Sequence, residues 1–333
     1  MSTKKRKKKK GSQSRAVQIL LSLAAIALLL ALILLLGDFT TAKAPDTEPT
    51  LPAPEANPYL AEDFEYDGDY LRCKVANARL GVDVSEHQSV INWEQVKQAG
   101  FKLAMVRAGY RGYTEGKLFA DSSFEHHLQG AREAGLDVGV HFFSQAVTPA
   151  EAAEEAAFVL RMLDGRKLDL PVVFDWEYVS ADVRTGIVDG RTLTDCAIAF
   201  CEAVEDAGYD AMIYFNQDQA ENVYLLEELT DYDFWLAMYS DEMNFPYRVE
   251  MWQYTEEGSV PGIEGNADIN LYLPKNNIKN TAARVERRFL LINMNYSNST
   301  KSSVISLRGI RNRRVANRPA IQMMPINSVH LSS

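Results

Sequence analysis

Short apolar runs alternate with amphipathic helical patterns between residues 78 and 274, and this alternation restricts the possible folds more than any other feature of the sequence. Apolar runs of about four to eight residues are typical of buried strands, whereas apolar residues spaced by three and four are typical of helices that cover a sheet. The predicted strands span residues 79–84, 103–108, 138–143, 172–176, 212–215, 234–238, 250–253 and 267–271. The predicted helices between them span residues 93–99, 122–134, 149–163 and 192–207.

Strands and helices in this repeating order predict an α/β fold, most consistently an irregular (β/α) barrel of the TIM type. We expect irregularity because the last connections between strands are short. A doubly wound open sheet is the alternative, but no G-x-G-x-x-G or G-x-x-x-x-G-K turn occurs to support a nucleotide site in such a sheet. No spacing of cysteine and histidine resembles a zinc site, so we expect neither a cofactor nor a metal.

Polar and aromatic residues stand where the predicted strands end. In a (β/α) barrel the catalytic groups lie at the carboxyl ends of the strands. Those ends hold Asp83, Arg107, His141, Asp175, Glu177, Tyr214, Tyr239, Gln253 and Asp268. Residues with a purely structural role would be apolar or uncharged at these positions, so four carboxylates there indicate a functional site.

Asp175 and Glu177 carry the most specific chemistry, because a single residue separates them at the end of an apolar strand. Their side chains project from the same face, with Cα atoms about 7 Å apart. Two carboxylates this close repel each other, which raises the pKa of one and leaves a protonated acid beside an ionised group. Cleavage of a glycosidic bond needs that combination, and the longer Glu177 is the predicted acid. Two solvated acids at a strand end are the alternative.

Several stretches accompany this acidic pair in a characteristic order. They read GVDVSEHQ from residue 81, INW from 91, VRAGY from 106, GVHFF from 139, FDWE from 174, MWQY from 251, GSVPGI from 258 and ADIN from 267. Over about residues 79–273 the sequence resembles the glycoside hydrolase family 25 lysozymes, which are N-acetylmuramidases. The resemblance implies a catalytic domain over residues 78–274 that hydrolyses the β-1,4 bond between N-acetylmuramic acid and N-acetylglucosamine in bacterial peptidoglycan.

The resemblance also implies roles for individual residues. Glu177 would be the catalytic acid and base, and Asp175 would orient the substrate's N-acetyl group as that group attacks the anomeric carbon. Asp83 and Asp268 match the family's other active-site carboxylates and would shape the electric field around the pair. The predicted substrate-binding residues are Arg107, Tyr110, His141, Phe143, Tyr214, Trp235, Tyr239, Trp252 and Gln253. For each aromatic residue, and for His141, packing in the core is the alternative.

Two other functions fit part of this pattern. A chitinase-like barrel would carry D-x-D-x-E on the acidic strand, but Val173 stands at the first of those positions. A non-catalytic module that binds peptidoglycan would use the same groove, but sugar binding alone does not require crowded carboxylates. The sequence therefore favours the enzyme over both alternatives.

The first part of the sequence predicts a membrane anchor. Seven consecutive basic residues, 4–10, precede an uncharged apolar run over residues 17–36, which is long enough to cross a bilayer as a helix. By the positive-inside rule, residues 1–16 stay in the cytoplasm and the catalytic domain lies outside the cell. Secretion after cleavage behind the A-x-A motif of residues 42–44 is the alternative.

Composition and charge describe the segments around the predicted barrel. Prolines among residues 37–77 predict an extended linker, and residues 275–333 form a basic tail that we expect to be disordered. The net charge of −10 conceals about +8 on residues 1–16 and about +10 on the tail, which leaves about −28 between them. A middle segment this acidic repels nucleic acid. The expected partners are therefore peptidoglycan glycan strands and the membrane, and we expect a monomer.

Overall fold

The computed structural model describes Leu51, residues 53–273 and five residues near the N-terminus, Leu21, Leu23, Ala24, Ala27 and Leu28. The chain divides after Leu51 into two compact units. The five residues near the N-terminus are helical and exposed. The remainder of the predicted membrane helix, residues 17–36, and the predicted segments 1–16 and 275–333 lie outside the described residues. No helix within the described residues has the length and hydropathy that a membrane span requires.

The second unit is built on a closed β-barrel. Its strands are β1 (Phe64–Asp67), β2 (Tyr70–Cys73), β3 (Arg79–Val84), β4 (Leu103–Arg111), β5 (Leu118–Ala120), β6 (Asp137–Ser144), β7 (Val172–Trp176), β8 (Ala211–Asn216), β9 (Asp233–Ala237), β10 (Met251–Ser259) and β11 (Asn266–Tyr272). The main sheet has the order β3-β11-β10-β9-β8-β7-β6-β4-β5, and β3 also pairs with β4. That extra pairing closes eight of the described strands into a ring and leaves β5 outside it.

The strand directions explain why the barrel is irregular. From β3 through β4 and β6 to β10, neighbouring strands pair in parallel. The last strand, β11, is antiparallel to both β10 and β3, because a tight turn at residues 260–265 replaces the usual crossover helix. The predicted α/β fold with an irregular barrel is confirmed, and the closed sheet excludes the doubly wound alternative.

Five helices connect the strands, and side-chain caps mark where most of them begin. They are α1 (Trp93–Gln98), α2 (Phe124–Glu133), α3 (Pro149–Leu163), α4 (Gly190–Asp206) and α5 (Gln217–Asn222). The Thr148 hydroxyl accepts the backbone N–H of Glu151 at the start of α3, and the Asp189 carboxylate accepts that of Thr192 at the start of α4. Such caps satisfy N–H groups that have no partner inside the helix.

The pleat of each strand divides the core into two layers. On β7 the side chains of Val172 and Phe174 pack outward against the helices, whereas Val173 lies in a separate cluster inside the barrel. Because successive side chains of a strand alternate between its faces, Asp175 also points into the barrel. The fold therefore brings the acidic end of this strand to the barrel axis.

No helix follows β9 or β10 in the described chain, and an N-terminal hairpin covers this side of the barrel instead. The hairpin is formed by β1 and β2. The Phe64 ring packs edge-on against Trp252 of β10, with 5.1 Å between ring centroids. The backbone N–H of Leu71 donates to the hydroxyl of Tyr254, also on β10, at 3.3 Å. The hairpin thus takes the place of a crossover helix in the outer layer.

This hairpin corrects the prediction of an extended linker over residues 37–77. The Asn57 side chain donates to the backbone oxygen of Phe245 at 2.8 Å, and Tyr59 and Leu60 are buried. The linker prediction is therefore wrong for residues 57–73, which are part of the folded unit. Of the five prolines between residues 37 and 77, only Pro58 lies within this folded range, so the proline content of the preceding residues does not describe the hairpin.

Candidate active site

The strand ends at one rim of the barrel surround a cleft of about 250 Å³. The four predicted carboxylates, Asp83, Asp175, Glu177 and Asp268, all line this cleft. Of the nine predicted substrate-binding residues, all except Tyr110 and Trp252 line it as well. The fold thus brings Asp83 and Asp268, which are 185 positions apart in the sequence, into one concave site.

Asp175 lies on the floor of the cleft and is held by His141. Strand β7 pairs Asp175 with Phe143 of β6 and with Tyr214 of β8, which places it between two other lining residues. Its Oδ2 lies 2.8 Å from Nδ1 of His141, while its Oδ1 is buried without a hydrogen-bond partner in the described structure. One oxygen of this carboxyl group is therefore oriented by the protein, and the other retains an unused capacity to accept a hydrogen bond.

The electrostatics of the pair follow from burial. Removal of Asp175 from water raises the pKa of its carboxyl group, and the negative charge of Asp83 raises it further, against the opposing charge of Arg107. Burial lowers the pKa of His141 to about 4. The imidazole is therefore neutral near pH 7, and its Nδ1 shares a hydrogen bond with the carboxyl group of Asp175.

Glu177 follows β7 directly and is partly exposed to the cleft. Burial is the largest cause that raises the pKa of its carboxyl group, followed by the negative charges of Asp175, Asp83 and Glu256. Glu177 therefore retains a proton near neutral pH, as a general acid must.

Asp83 and Asp268 form the opposite side of the site, where β3 and β11 pair them directly across the sheet. Oδ2 of Asp83 accepts N–H groups from the side chains of Gln253 at 3.0 Å and Asn270 at 2.7 Å. Burial, together with the charge of Asp83 and a hydrogen bond to it, raises the pKa of Asp268 to about 10. Asp268 is thus a proton-bearing partner of Asp83.

Asp268 lines the cleft as predicted, but the prediction that it stands at the carboxyl end of its strand is wrong. Asp268 lies near the beginning of β11. Because β11 is antiparallel to its neighbours, its beginning lies at the rim where the parallel strands end. The residue therefore reaches the cleft for a different topological reason than the one predicted.

Hydrogen-bonded side chains fix the wall between these two sides. The hydroxyl groups of Tyr214 and Tyr239 each donate to Oε1 of Gln253 at 3.1 Å. The indole N–H of Trp235 donates to Oδ1 of Asn270 at 2.8 Å, and its ring is almost fully buried. This network orients the amides that bind Asp83, so the position of that carboxylate depends on residues from four strands.

Arg107 supplies the positive charge of the cleft, and two carboxylates hold its guanidinium group. Its Nε donates to Asp121 at 2.7 Å and its Nη2 donates to Glu86 at 3.1 Å. The guanidinium carbon lies 5.3 Å from the centre of the Tyr110 ring. Arg107 therefore opposes the raised pKa values of Asp175 and Glu177 from a fixed position.

Residues 82–263 match the model of the family described as glycosyl hydrolases family 25, which is more than half of the chain. The chain belongs to this family. It is 26% identical over 200 residues to the autolytic lysozyme of Clostridium acetobutylicum, which covers 57% of this chain and 54% of that relative. It is also 26% identical over 217 residues to lysozyme M1 of Streptomyces globisporus, covering 58% of this chain and 67% of the relative. The chain therefore spans about half to two thirds of these curated relatives.

Solved structures share the fold of this family 25 chain. The modular autolysin LytC from Streptococcus pneumoniae, in complex with synthetic peptidoglycan ligand, aligns with a TM-score of 0.51 and 23% identity over 59% of this chain and 47% of that chain. The Clostridium perfringens spore cortex lytic enzyme SleM aligns with a TM-score of 0.50 and 23% identity, over 59% of this chain and 67% of that chain. At this identity the likeness concerns the fold alone.

Two predicted substrate-binding residues lie outside the family 25 cleft. Trp252 is fully buried on the outer face of β10, and its indole N–H donates to the backbone oxygen of Met238 at 2.8 Å. Because Gln253 points into the barrel, its neighbour Trp252 must point outward, so the prediction for Trp252 is wrong. Tyr110 stacks on Phe119 of β5, with 5.2 Å between ring centroids, and is not among the residues that line the cleft.

Other lining residues were not predicted. Ser85, His87 and Gln88 come from the loop after β3, and Glu256 comes from β10. The pairing of β10 with β11 shifts register between residues 253 and 258, which is typical of a bulge and redirects the side chains there. The stretch GVDVSEHQ, which contains Ser85, His87 and Gln88, and the adjacent acids Glu256 and Glu257 are the visible signals in the sequence. Among the described residues no cluster of His, Cys, Asp and Glu could hold a metal, and the absence of a cofactor stays a prediction.

Replacing Asp268 with asparagine should stabilise the folded domain at alkaline pH while it impairs the site. The pKa of Asp268 is about 10 in the folded state and near 3.8 when unfolded, so its contribution to stability is present below about pH 4 and is lost as the pH rises towards 10. Asparagine keeps the shape and a donor for Asp83 without this dependence. We expect a gain of about 1–2 kcal/mol in the free energy of unfolding at pH 8, after allowance for solvent screening.

Urea unfolding of both proteins at pH 5 and pH 8 measures this effect. The matched control is the replacement of exposed Asp231 with asparagine, which should change the free energy of unfolding by less than about 0.5 kcal/mol at either pH. Equal destabilisation of the Asp268 variant at both pH values would contradict the assigned protonation of this carboxyl group.

Proposed function

We propose that this family 25 chain hydrolyses the β-1,4 bond between N-acetylmuramic acid and N-acetylglucosamine in bacterial peptidoglycan. The observation that carries the proposal is the placement of two carboxyl groups, Glu177 and Asp175, in one cleft, where burial raises the pKa of both. Two relatives that are 26% identical carry the name lysozyme, and LytC, which shares the fold, has been solved with a peptidoglycan ligand. These likenesses support the substrate class.

In the proposed first step, Glu177 transfers its proton to the glycosidic oxygen as the bond from that oxygen to the anomeric carbon breaks. The carbonyl oxygen of the substrate's own N-acetyl group attacks the anomeric carbon and forms an oxazolinium ring. Oδ1 of Asp175, which has no partner in the described structure, accepts the N–H of that acetamido group and orients the attack. No protein nucleophile is required.

In the second step, the Glu177 carboxylate removes a proton from a water molecule that adds to the anomeric carbon. The ring opens, the N-acetyl group is restored, and Glu177 is protonated again for the next cycle. Asp83 and Asp268 remain in place through both steps and set the electric field. Asp83 is tied to the barrel wall by hydrogen bonds from Gln253 and Asn270, and Asp268 is hydrogen-bonded to Asp83.

Two alternatives are less consistent with the site. A binding module would lose stability by burying several carboxyl groups with raised pKa values and would gain no affinity for a sugar from them. A chitinase-like site needs a third acid two residues before Asp175, but Val173 occupies that position and packs inside the barrel. Both observations favour the lysozyme.

Purified full-length protein incubated with defined peptidoglycan tests the proposal. Cleavage of the proposed bond leaves N-acetylmuramic acid at the new reducing end, which mass spectrometry of borohydride-reduced fragments identifies. Reducing N-acetylglucosamine ends would show that the bond specificity is different. Wall binding without any new reducing ends would identify a binding module instead.

We also propose that the enzyme acts at the outer face of the cell membrane, held there by residues 17–36. The basic residues 4–10 followed by an uncharged apolar run support this placement. Protease treatment of intact cells should digest the catalytic domain and leave a membrane-embedded N-terminal fragment. Recovery of the domain from the culture medium would favour secretion after cleavage.

A further inference from the structure

Two buried glutamine side chains bind the backbone on either side of Glu177. Nε2 of Gln145 donates to the backbone oxygen of Glu177 at 2.7 Å. Nε2 of Gln219 donates to the backbone oxygen of Trp176 at 2.9 Å. Both side chains are shielded from solvent, Gln145 completely and Gln219 to within 4%. We call these two residues the glutamine clamp.

The clamp lies where the pairing of β7 with its neighbouring strands ends. The pairing of β7 with β6 ends at Trp176, and its pairing with β8 ends at Asp175. The next carbonyl groups would therefore lose their partners in the sheet at a buried position, which is unfavourable. Gln145 follows β6 directly and Gln219 lies on α5 after β8, so each amide continues the hydrogen bonding from its own neighbouring strand.

Each clamp residue is itself held in place. The amide of Gln145 also donates to the backbone oxygen of Ser144 at 2.9 Å. The guanidinium group of Arg184, which pairs with Glu151 at 2.6 Å, donates to the backbone oxygen of Gln145 at 2.6 Å. Oε1 of Gln219 accepts the backbone N–H of Asn216 in the cap of α5. These contacts make the clamp a rigid part of the scaffold.

We propose that Gln145 and Gln219 are positioning residues for the general acid Glu177, an inference that rests on the proposed function. The two carbonyl groups that they bind flank the Cα atom of Glu177, so together they fix the direction of its Cβ. A general acid must stay within hydrogen-bond distance of the glycosidic oxygen, and a misplacement of about 1 Å can lower the rate by about 10²-fold. The clamp holds the proton donor where the leaving oxygen needs it.

Replacement of each glutamine by methionine tests the clamp, because methionine keeps the size and removes the amide. On a natural sugar linkage we expect each variant to lower kcat by about 10- to 100-fold with KM changed by less than about three-fold. On a substrate whose leaving group is dinitrophenolate, which departs without a proton, single-turnover release should fall by less than about three-fold. A role in folding alone would lower both rates together.

The matched control is Gln217→Met on the same helix, since the amide of Gln217 donates only to Glu221 at the helix surface. Its rates on both substrates should equal those of the unmodified protein. Near-ultraviolet circular dichroism checks that each variant is folded. Because the two clamp residues lie on different elements, either variant alone can test the proposal if the other does not fold.

Equal losses on both substrates, or no loss on either, would overturn the clamp. Glu177→Gln, measured in parallel, separates this outcome from a failure of the proposed function. If that variant loses activity on the sugar linkage but the methionine variants do not, only the clamp is wrong. If Glu177→Gln keeps full activity on the sugar linkage, the assignment of the acid itself is wrong and the clamp fails with it.

Discussion

Glu177→Gln should lower kcat on peptidoglycan by about 10²- to 10⁴-fold, the contribution of a positioned proton donor. The amide has the same shape but cannot transfer a proton to the glycosidic oxygen. KM should change little, since the loss concerns an interaction made in the transition state. The measurement is the release of new reducing ends from defined glycan strands, with binding to insoluble walls followed separately.

The pH dependence of the unmodified protein provides a second test of the same residue. The raised pKa of Glu177, about 8, keeps the acid protonated through neutral pH, so kcat should fall as the pH rises through that value.

The control variant for Glu177→Gln is Glu257→Gln, because Glu257 is exposed on β10 and does not line the cleft. An activity of Glu177→Gln within ten-fold of the unmodified protein, beside an unaffected control, would exclude Glu177 as the acid.

The sequence predicted the barrel well because its strands are strongly apolar and its helices are strongly amphipathic. The bounds of β3, β7 and α3 agree with the predicted ranges 79–84, 172–176 and 149–163. Strand β5 was missed, since it has three residues and none of them is buried. The antiparallel direction of β11 was also missed, because strand direction depends on connection geometry rather than on the strand's own residues.

In the candidate site, too, some residues could be predicted from the sequence and others could not. Asp83, Asp175 and Glu177 stand at the carboxyl ends of their strands or immediately after them, where sequence position and barrel topology together locate them, whereas Asp268 stands near the beginning of the antiparallel β11. The glutamine clamp depends on contacts between distant elements that no local pattern marks, for instance Gln219 with the backbone of Trp176 across 43 positions. Gln253 is predicted from its strand end, but its hydrogen bond to Asp83, 170 positions away, is not. Trp252 was misassigned because both faces of its strand are buried, so apolar content does not reveal which residues point inward.

The N-terminal hairpin, formed by β1 and β2, shows most clearly what local sequence does not predict, and we expect it to contribute strongly to the stability of the folded unit. The strand β1 reads FEYD, an alternation of aromatic and acidic residues that extends over only four positions, and only its first residue is buried. Its one buried side chain, Phe64, lies between Tyr59 and Trp252, with ring centroids 5.7 Å and 5.1 Å away. The first strand of the hairpin is thus anchored to the barrel mainly by the ring of Phe64.

Phe64→Ala should therefore destabilise the folded unit by about 3–5 kcal/mol, the range for removal of a buried aromatic ring. The variant leaves a cavity against Trp252 and exposes the outer face of β10, which no helix covers in the described chain. Urea unfolding followed by tryptophan fluorescence measures the loss. Since Phe64 lies outside the cleft lining, kcat at low temperature, where the variant stays folded, should be nearly unchanged.

The matched control lies one residue away on the same strand. Glu65 is exposed and pairs only with Lys74 at the surface, at 3.3 Å, so Glu65→Ala should cost less than about 1 kcal/mol. If Phe64→Ala cost no more than this control, the hairpin would be a dispensable attachment and the barrel would be stable without it. A large loss confined to Phe64→Ala would instead mean that the hairpin is part of the cooperatively folded unit, to which Asn57 and Tyr59 also contribute contacts.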